Sequence, residues 1–257
     1  MRPKKGNHVN NYNPFSLEGK TILVTGASSG IGQATAVECS KLGAKLVITG
    51  RNQERLQQTF DALEGEGHSQ VIAELVNDED VQRLVEACPE LNGLVLCAGK
   101  GLTLPVPFCT KEKCLEMLTV NFLAPFDLLR ILNKKKKIAK GGSVVAVSSI
   151  GGNDIFSVGN STYGATKAAL SSVMKFCAKE FAGRLIRVNT VNPGMTDTPL
   201  IHRGNITEEQ FAADSQRYPL KRYGRPLDIA HGIIYLLSDA SSWVTGHSLV
   251  IDGGVSI

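Results

Sequence analysis

The chain has 257 residues, 42% of them hydrophobic and 20% charged, with 26 glycines. That balance excludes a disordered or collagen-like chain and suits one α/β domain. The excess of 28 basic over 24 acidic residues is too small to argue for nucleic acid as a partner, and no run of about 18 apolar residues argues for a membrane span.

Taken in chain order, residues 1–16 are rich in Asn, Lys and Pro and are expected to form a flexible tail, leaving one domain over 17–257. The tail is basic but has no apolar stretch of the secretory kind. Short β-branched runs then alternate with helical patterns. Strands are predicted at 21–25, 45–49, 70–73, 93–97, 142–148, 187–191 and 248–251. Helices are predicted at 32–42, 54–63, 79–87, 111–132, 163–182 and 227–237. The strands are nearly continuous apolar runs, which fits burial on both faces of a parallel sheet. Repeated strand–helix–strand units give right-handed crossovers and a doubly wound sheet. In such a sheet a ligand sits beyond the carboxyl ends of the strands. Six cysteines, at 39, 88, 97, 109, 114 and 177, form no CxxC pair and have no histidines at ligand spacing. No metal site or disulfide framework is expected, and a cytoplasmic protein with reduced thiols is.

The first predicted strand runs into Thr25-Gly26-Ala27-Ser28-Ser29-Gly30-Ile31-Gly32. Alone, such a turn is an ordinary βα connection. Placed between the first buried strand and a helix, it permits close backbone approach to a pyrophosphate, with free N–H groups at the helix start. The second strand ends in Gly50-Arg51, where an NAD site would carry an acid for the ribose 2′-OH. A guanidinium there suits a 2′-phosphate, so NADP(H) is expected over NAD(H). Further on, Ser148 and Ser149 end a strand, and Tyr163 and Lys167 lie four apart on one helix face. A phenol with an ordinary pKa of about 10 exchanges protons poorly at neutral pH unless a cation favours the phenolate. A serine hydroxyl can bond a substrate oxygen where charge develops.

In combination these motifs resemble the short-chain dehydrogenase/reductase family over nearly all of 17–254. They are TGASSGIG at 25–32, a segment near Glu74–Asp78, CAG at 97–99, Asn121 in TVNFLAP, SS at 148–149, YGATK at 163–167, NPG at 192–194 and VTGHSLVIDGG at 244–254. The resemblance implies a Rossmann-type sheet of seven parallel strands and a homotetramer. It implies Tyr163 as general acid/base, and Lys167 lowering the Tyr163 pKa and binding the nicotinamide ribose. Ser149 would polarise the substrate oxygen, and Asn121, within the long helix, would hold a water in a proton relay. Gly26, Ser28, Ser29, Gly30, Ile31 and Gly32 would line the cofactor phosphates, with Glu74 near the adenine. Ala98, Gly99, Pro193, Gly194 and Thr196 would line the rest of the cofactor. Two positions depart from the family pattern. Cys97 replaces the usual Asn of the turn after the fourth strand. Ser149 stands 14 residues before Tyr163, one more than is usual, so either the loop bulges or Ser148 takes the role.

Lys134–Lys137 and Lys140 read first as a solvated helix end. Cys97 and Cys109 read as packing beside the cleft. The stretch 195–218 is expected to form a loop and helix over the site, with Arg203, Arg217, Lys221 and Arg222 as surface charge or contacts to an anionic carrier. The sequence points to an NADP-dependent oxidoreductase acting on a small-molecule carbonyl or secondary alcohol. Its C-terminal RYGRPLDIA and SDASSWVTGHSLVIDGG are similar to 3-oxoacyl-carrier-protein reductases. Sugar, polyol and steroid dehydrogenases share these segments. A non-catalytic NADP-binding regulator is the reading from another class. A nucleotide-sugar epimerase is disfavoured, since little chain follows Val191.

Overall fold

The computed structural model describes residues 12–203 and 207–257. The first eleven residues of the expected tail lie outside them. Seven strands form one parallel sheet: β1 (Thr21–Thr25), β2 (Lys45–Gly50), β3 (Ser69–Ile72), β4 (Leu91–Leu96), β5 (Ile138–Val147), β6 (Arg187–Pro193) and β7 (Ser248–Ile251). Their order is β3-β2-β1-β4-β5-β6-β7. The chain winds outward from β1 in one direction and, after crossing to β4, in the other. The crevice of such a sheet therefore opens beside the carboxyl ends of β1 and β4.

The apolar runs are continuous because alternate residues serve two cores. Ile22 and Val24 of β1, with Val145 and Val147 of β5, pack beneath α1 (Gly30–Lys41), α2 (Gln53–Asp61) and α8 (Pro226–Leu237). Leu23, Val144 and Ala146 pack beneath α3 (Asp78–Ala87), α5 (Ala124–Lys134) and α6 (Ser161–Phe181) on the other face. Each fully buried Leu or Ile contributes about 1.5–3 kcal/mol, so a one-residue register slip would exchange the two cores at a prohibitive cost.

The expected single helix over 111–132 is interrupted. It consists of α4 (Lys111–Leu118), a π-helical turn at Thr119–Leu123 and α5. The cause is readable: Pro125 has no N–H to give the Asn121 carbonyl four residues back. The wider turn closes instead with the Ala124 N–H on the Thr119 carbonyl. The basic run lies at the opposite edge of the sheet from the crevice, where α5 ends and β5 begins. There Lys135 bonds Gln82 at 3.2 Å and Lys137 bonds the Cys88 carbonyl.

The end of the tail is held more firmly than its composition suggests. The Pro14 carbonyl accepts from the Ala240 N–H at 3.0 Å, and the Phe15 ring lies 6.4 Å from that of Tyr235. Phe15 and the fully buried Leu17 supply the apolar surface that the surrounding polar residues lack. No helix of the described residues is long and apolar enough to cross a membrane.

Candidate active site

Four loops meet at the carboxyl edge of the sheet. The β1–α1 loop is built on backbone rather than side chains. Gly26 adopts φ +66°, and a Cβ on Gly32 would stand 2.4 Å from the Gly26 carbonyl oxygen. Side chains cap the N-termini of α2, α3 and α4 through Asn52, Asn77 and Thr110. At α1 the Ser29 side chain makes no capping bond, and the first turn holds no acid. Its N–H groups and dipole are thus left to an anion. Ser28, Ser29 and Gly30 line an open cleft with Asp197 and Pro199.

At the end of β2 a Cβ on Gly50 would lie 3.0 Å from the Ser28 hydroxyl, a tight contact with a movable side chain. Arg51 and Glu74 leave the ends of the adjacent strands β2 and β3 and meet in an exposed ion pair, Nη1 to Oε1 at 3.1 Å. Two side chains assigned separately to the 2′-phosphate and the adenine therefore hold each other. The Glu74 N–H is anchored by Asp80 at 2.8 Å.

After β4, the Cys97-Ala98-Gly99 turn is held by Thr25. Its hydroxyl donates to the Val95 carbonyl and accepts from the N–H groups of Cys97 and Ala98, at 3.0 and 3.2 Å. This bracing is how the turn dispenses with an Asn, and sequence reasoning missed Thr25. The only signal was a hydroxyl closing the strand before the glycine loop. Burial pushes the Cys97 thiol up to about 12, against the pull of the Lys167 charge. That protonated thiol fits the packing role expected of Cys97.

Asn121 is fully buried in the π-turn. Its amide donates to the Lys100 carbonyl at 2.9 Å and to the Thr166 hydroxyl at 3.2 Å, and its oxygen accepts from the Lys100 N–H at 2.8 Å. The side chain is thus a clamp between the β4 loop and α6. Pro125 leaves the Asn121 main-chain carbonyl, rather than the side chain, as the group without an α-helical donor.

The two serines differ sharply. Ser148 is buried. It donates to the Lys167 carbonyl at 2.9 Å and accepts from Ser171 at 2.8 Å. Ser149 accepts from the Gly151 N–H at 2.9 Å, and its hydroxyl and the edge of the Tyr163 ring both lie beside Gly151. The extra residue before Tyr163 is taken up in a tight turn, where the N–H groups of Asn153, Asp154 and Ile155 all reach the Ile150 carbonyl. Behind it Gly152, at φ +84°, lies against Gly164 of α6. A Cβ there would meet the Gly164 oxygen at 2.2 Å, so this contact sets how closely α6 approaches the serine loop.

Lys167 is buried beneath the site. Its Nζ donates to the Val147 carbonyl at 2.8 Å and lies 5.9 Å from the centre of the Tyr163 ring. Burial lowers its pKa to about 8, with the Cys97 thiolate form opposing. Tyr163 is half-buried. Burial raises its phenol above the ordinary value, Ser149 pulls it down, and Cys97 raises it.

Along the sixth strand, Pro193 closes β6 and Gly194 fits against Asp252, while the Thr196 hydroxyl bonds the Gly194 carbonyl at 3.0 Å. The segment beyond carries α7 (Glu208–Ser215), capped by Thr207. Tyr218 and Tyr223 pack edge to face at 5.3 Å, and the Tyr218 hydroxyl accepts from the Met195 N–H. Arg217 pairs with Asp214, and Arg222 with Asp228, within the same surface.

The site can therefore place a hydroxyl and a phenol on one oxygen, beside a backbone cradle for an anion. Known proteins share this layout. A family model described as enoyl-(acyl carrier protein) reductase matches residues 26–256. A 3-oxoacyl-[acyl-carrier-protein] reductase of Rickettsia felis is 35% identical, with 94% of this chain and 98% of that protein covered. A dehydrogenase/reductase of Sinorhizobium meliloti superposes with a TM-score of 0.87 at 33% identity, covering 95% of this chain and 98% of the other. A 3-ketoacyl-(acyl-carrier-protein) reductase of Brucella melitensis, complexed with NADH, gives 0.85 at 30% identity and covers 94% and 100%. Sheet order, glycine loop and relatives agree: the chain belongs to the short-chain dehydrogenase/reductase family, oxidoreductases that move hydride between a nicotinamide cofactor and a carbonyl or alcohol.

Proposed function

We propose that this chain is an NADPH-dependent carbonyl reductase, and that a 3-oxoacyl thioester is the first substrate to try. The observation that carries the reading is that Ser149 and Tyr163 both flank Gly151 near buried Lys167, beside a glycine loop with an uncapped helix start. The loop is wound so tightly that a methyl group at Gly32 would strike the Gly26 carbonyl, and this bare backbone at a helix start suits a dinucleotide's phosphates. Gly26, Ser28, Ser29, Gly30, Ile31 and Gly32 would hold the phosphates, and Tyr163 and Lys167 the nicotinamide ribose. Ala98, Gly99, Pro193, Gly194 and Thr196 would flank the nicotinamide half.

The cofactor, when bound, supplies the hydride. Ser149 then bonds the substrate carbonyl oxygen, where negative charge accumulates. Tyr163 gives that oxygen its proton as the general acid. Lys167 holds the ribose side and stabilises the phenolate that remains. Asn121 keeps the β4 loop and α6 in register and presents a main-chain carbonyl for a relay water.

The preference for NADPH rests on Arg51 and on the absence of an acid at Gly50. Glu74 competes for the guanidinium, so the 2′-phosphate must displace an exposed ion pair that contributes roughly 0–1 kcal/mol. A charge-assisted hydrogen bond contributes about 1.5–3 kcal/mol. Arg51→Ala therefore raises the KM for NADPH about tenfold or more while changing that for NADH little. An equal loss for both cofactors rejects the assignment. Residues 17–257 would be the catalytic unit of a cytoplasmic homotetramer, an inference from the family; a stable monomer in sedimentation at micromolar concentration removes it. NADPH oxidation against a carbonyl panel tests the activity. Binding of NADPH with no turnover across the panel leaves the non-catalytic regulator.

A further inference from the structure

We propose that the substrate carries an uncharged, apolar body, which rests on Val106, Phe108, Phe156 and Val158 at the mouth of the site. The inference builds on the reductase reading and narrows its substrate class.

These four side chains are 68%, 61%, 83% and 95% exposed. They belong to two loops that join at the site. The Leu104 N–H donates to the Gly159 carbonyl at 2.7 Å, and the Thr103 hydroxyl meets the Asn160 side chain at 3.4 Å. Asn160 is the residue before α6, the helix that brings Tyr163 to the site. The third side of the mouth is also apolar, with Leu200 lying against Gly101. Large apolar groups clustered beside a cleft mark a surface that something covers.

The loops are nearly free of charge. Residues 101–110 contain no Asp, Glu, Lys or Arg, and 151–160 contain only Asp154. Several of the polar side chains in and beside them are already engaged. Asn153 donates to the Ser149 carbonyl at 2.8 Å, Thr103 meets Asn160, and Lys100 next to the loop is paired with Glu116. A polyol would bring hydroxyls that lose water here and find no partners, a net cost. An anionic body would find no cation on either loop. An acyl chain and an alicyclic ketone share the chemistry that fits.

The test is NADPH-dependent reduction of methyl ketones from butanone to decanone, with dihydroxyacetone as the polar control. Cyclohexanones and a 3-oxoacyl thioester separate the two apolar sources. Burial of each methylene should raise kcat/KM about three- to fourfold, mainly through KM, until the patch is covered. Phe108→Ser combined with Phe156→Ser should flatten this slope, with decanone losing most and butanone least. Both positions are exposed, so serine does not open the core. A flat series, dihydroxyacetone preferred to butanone, or an unchanged slope in the double variant overturns the inference. So does an unchanged slope with an altered sedimentation coefficient, which would make the patch a contact between copies. If some carbonyl is reduced and Tyr163→Phe abolishes it, the reductase reading stands whatever the slope. If NADPH binds and no carbonyl reacts, the reductase reading itself fails and takes this inference with it.

Discussion

Tyr163→Phe lowers turnover by about 10²–10⁴-fold, the range that a positioned proton donor contributes, and NADPH still binds. The variant removes one oxygen from a half-buried ring. Lys167 keeps its bond to the Val147 carbonyl, because that bond does not involve the phenol. The glycine cradle and Arg51 lie on other loops and keep their geometry. Stopped-flow NADPH binding and steady-state reduction on the same preparation separate the two effects. Undiminished turnover would remove Tyr163 as the acid. Loss of cofactor binding together with turnover would mean that the hydroxyl is structural.

The second large effect is on stability and its dependence on pH. Lys167 has a folded pKa of about 8 against an ordinary value of 10.5, because its ammonium is buried. The shift is downward in the folded state. Below pH 8 both states are protonated, and the fold carries the full cost of the buried charge, about 3 kcal/mol at 1.36 kcal/mol per pKa unit. Between the two pKa values the unfolded chain holds a proton that the fold has released. Stability therefore rises with pH across this window. Lys167→Met removes the titration but leaves the Val147 carbonyl without its donor, so a single-pH comparison is ambiguous. The informative quantity is the difference between the proteins in urea unfolding at about pH 7.5 and about pH 10, where wild type should gain about 2 kcal/mol on the variant. A difference that stays constant across this range would mean that Lys167 titrates normally in the fold.

Much of this architecture was readable because it rests on periodicity. All seven strands were expected within a few residues of where they lie; for the five inner ones burial on two faces leaves a clear apolar run, while the edge strands β3 and β7 are only partly buried. β5 begins earlier than expected because Ile138 pairs with Leu91 before a register shift in the ladder. Backbone-built features were legible as well, because a glycine that must stay a glycine is visible at Gly26 and Gly32. What escaped was pairing between side chains distant in sequence. Nothing local shows that Arg51 and Glu74 hold each other, since their contact depends on β2 lying beside β3. The bracing of the β4 turn by Thr25 joins residues some seventy positions apart. Ser148 and Ser149 look alike in the sequence. Only their placement, Ser148 buried against the α6 backbone and Ser149 beside Gly151 and the Tyr163 ring, distinguishes them.

The π-helical turn at Thr119–Leu123 has a consequence for alignment of the helix on either side of it. One additional residue without an additional turn sets back everything that follows by about 100° around the axis. α4 can therefore present its inner side to α6 while α5 presents its own to α3, two neighbours that an unbroken helix could not serve with the same residues. Cys109 and Cys114 touch Ser161 and Thr162 under this phasing. Removing any one residue from 119–123 would restore an even winding and rotate those thiols off the start of α6. Single-residue deletions in this short stretch should thus be far less tolerated than conservative exchanges of its side chains, because what the stretch encodes is an angle.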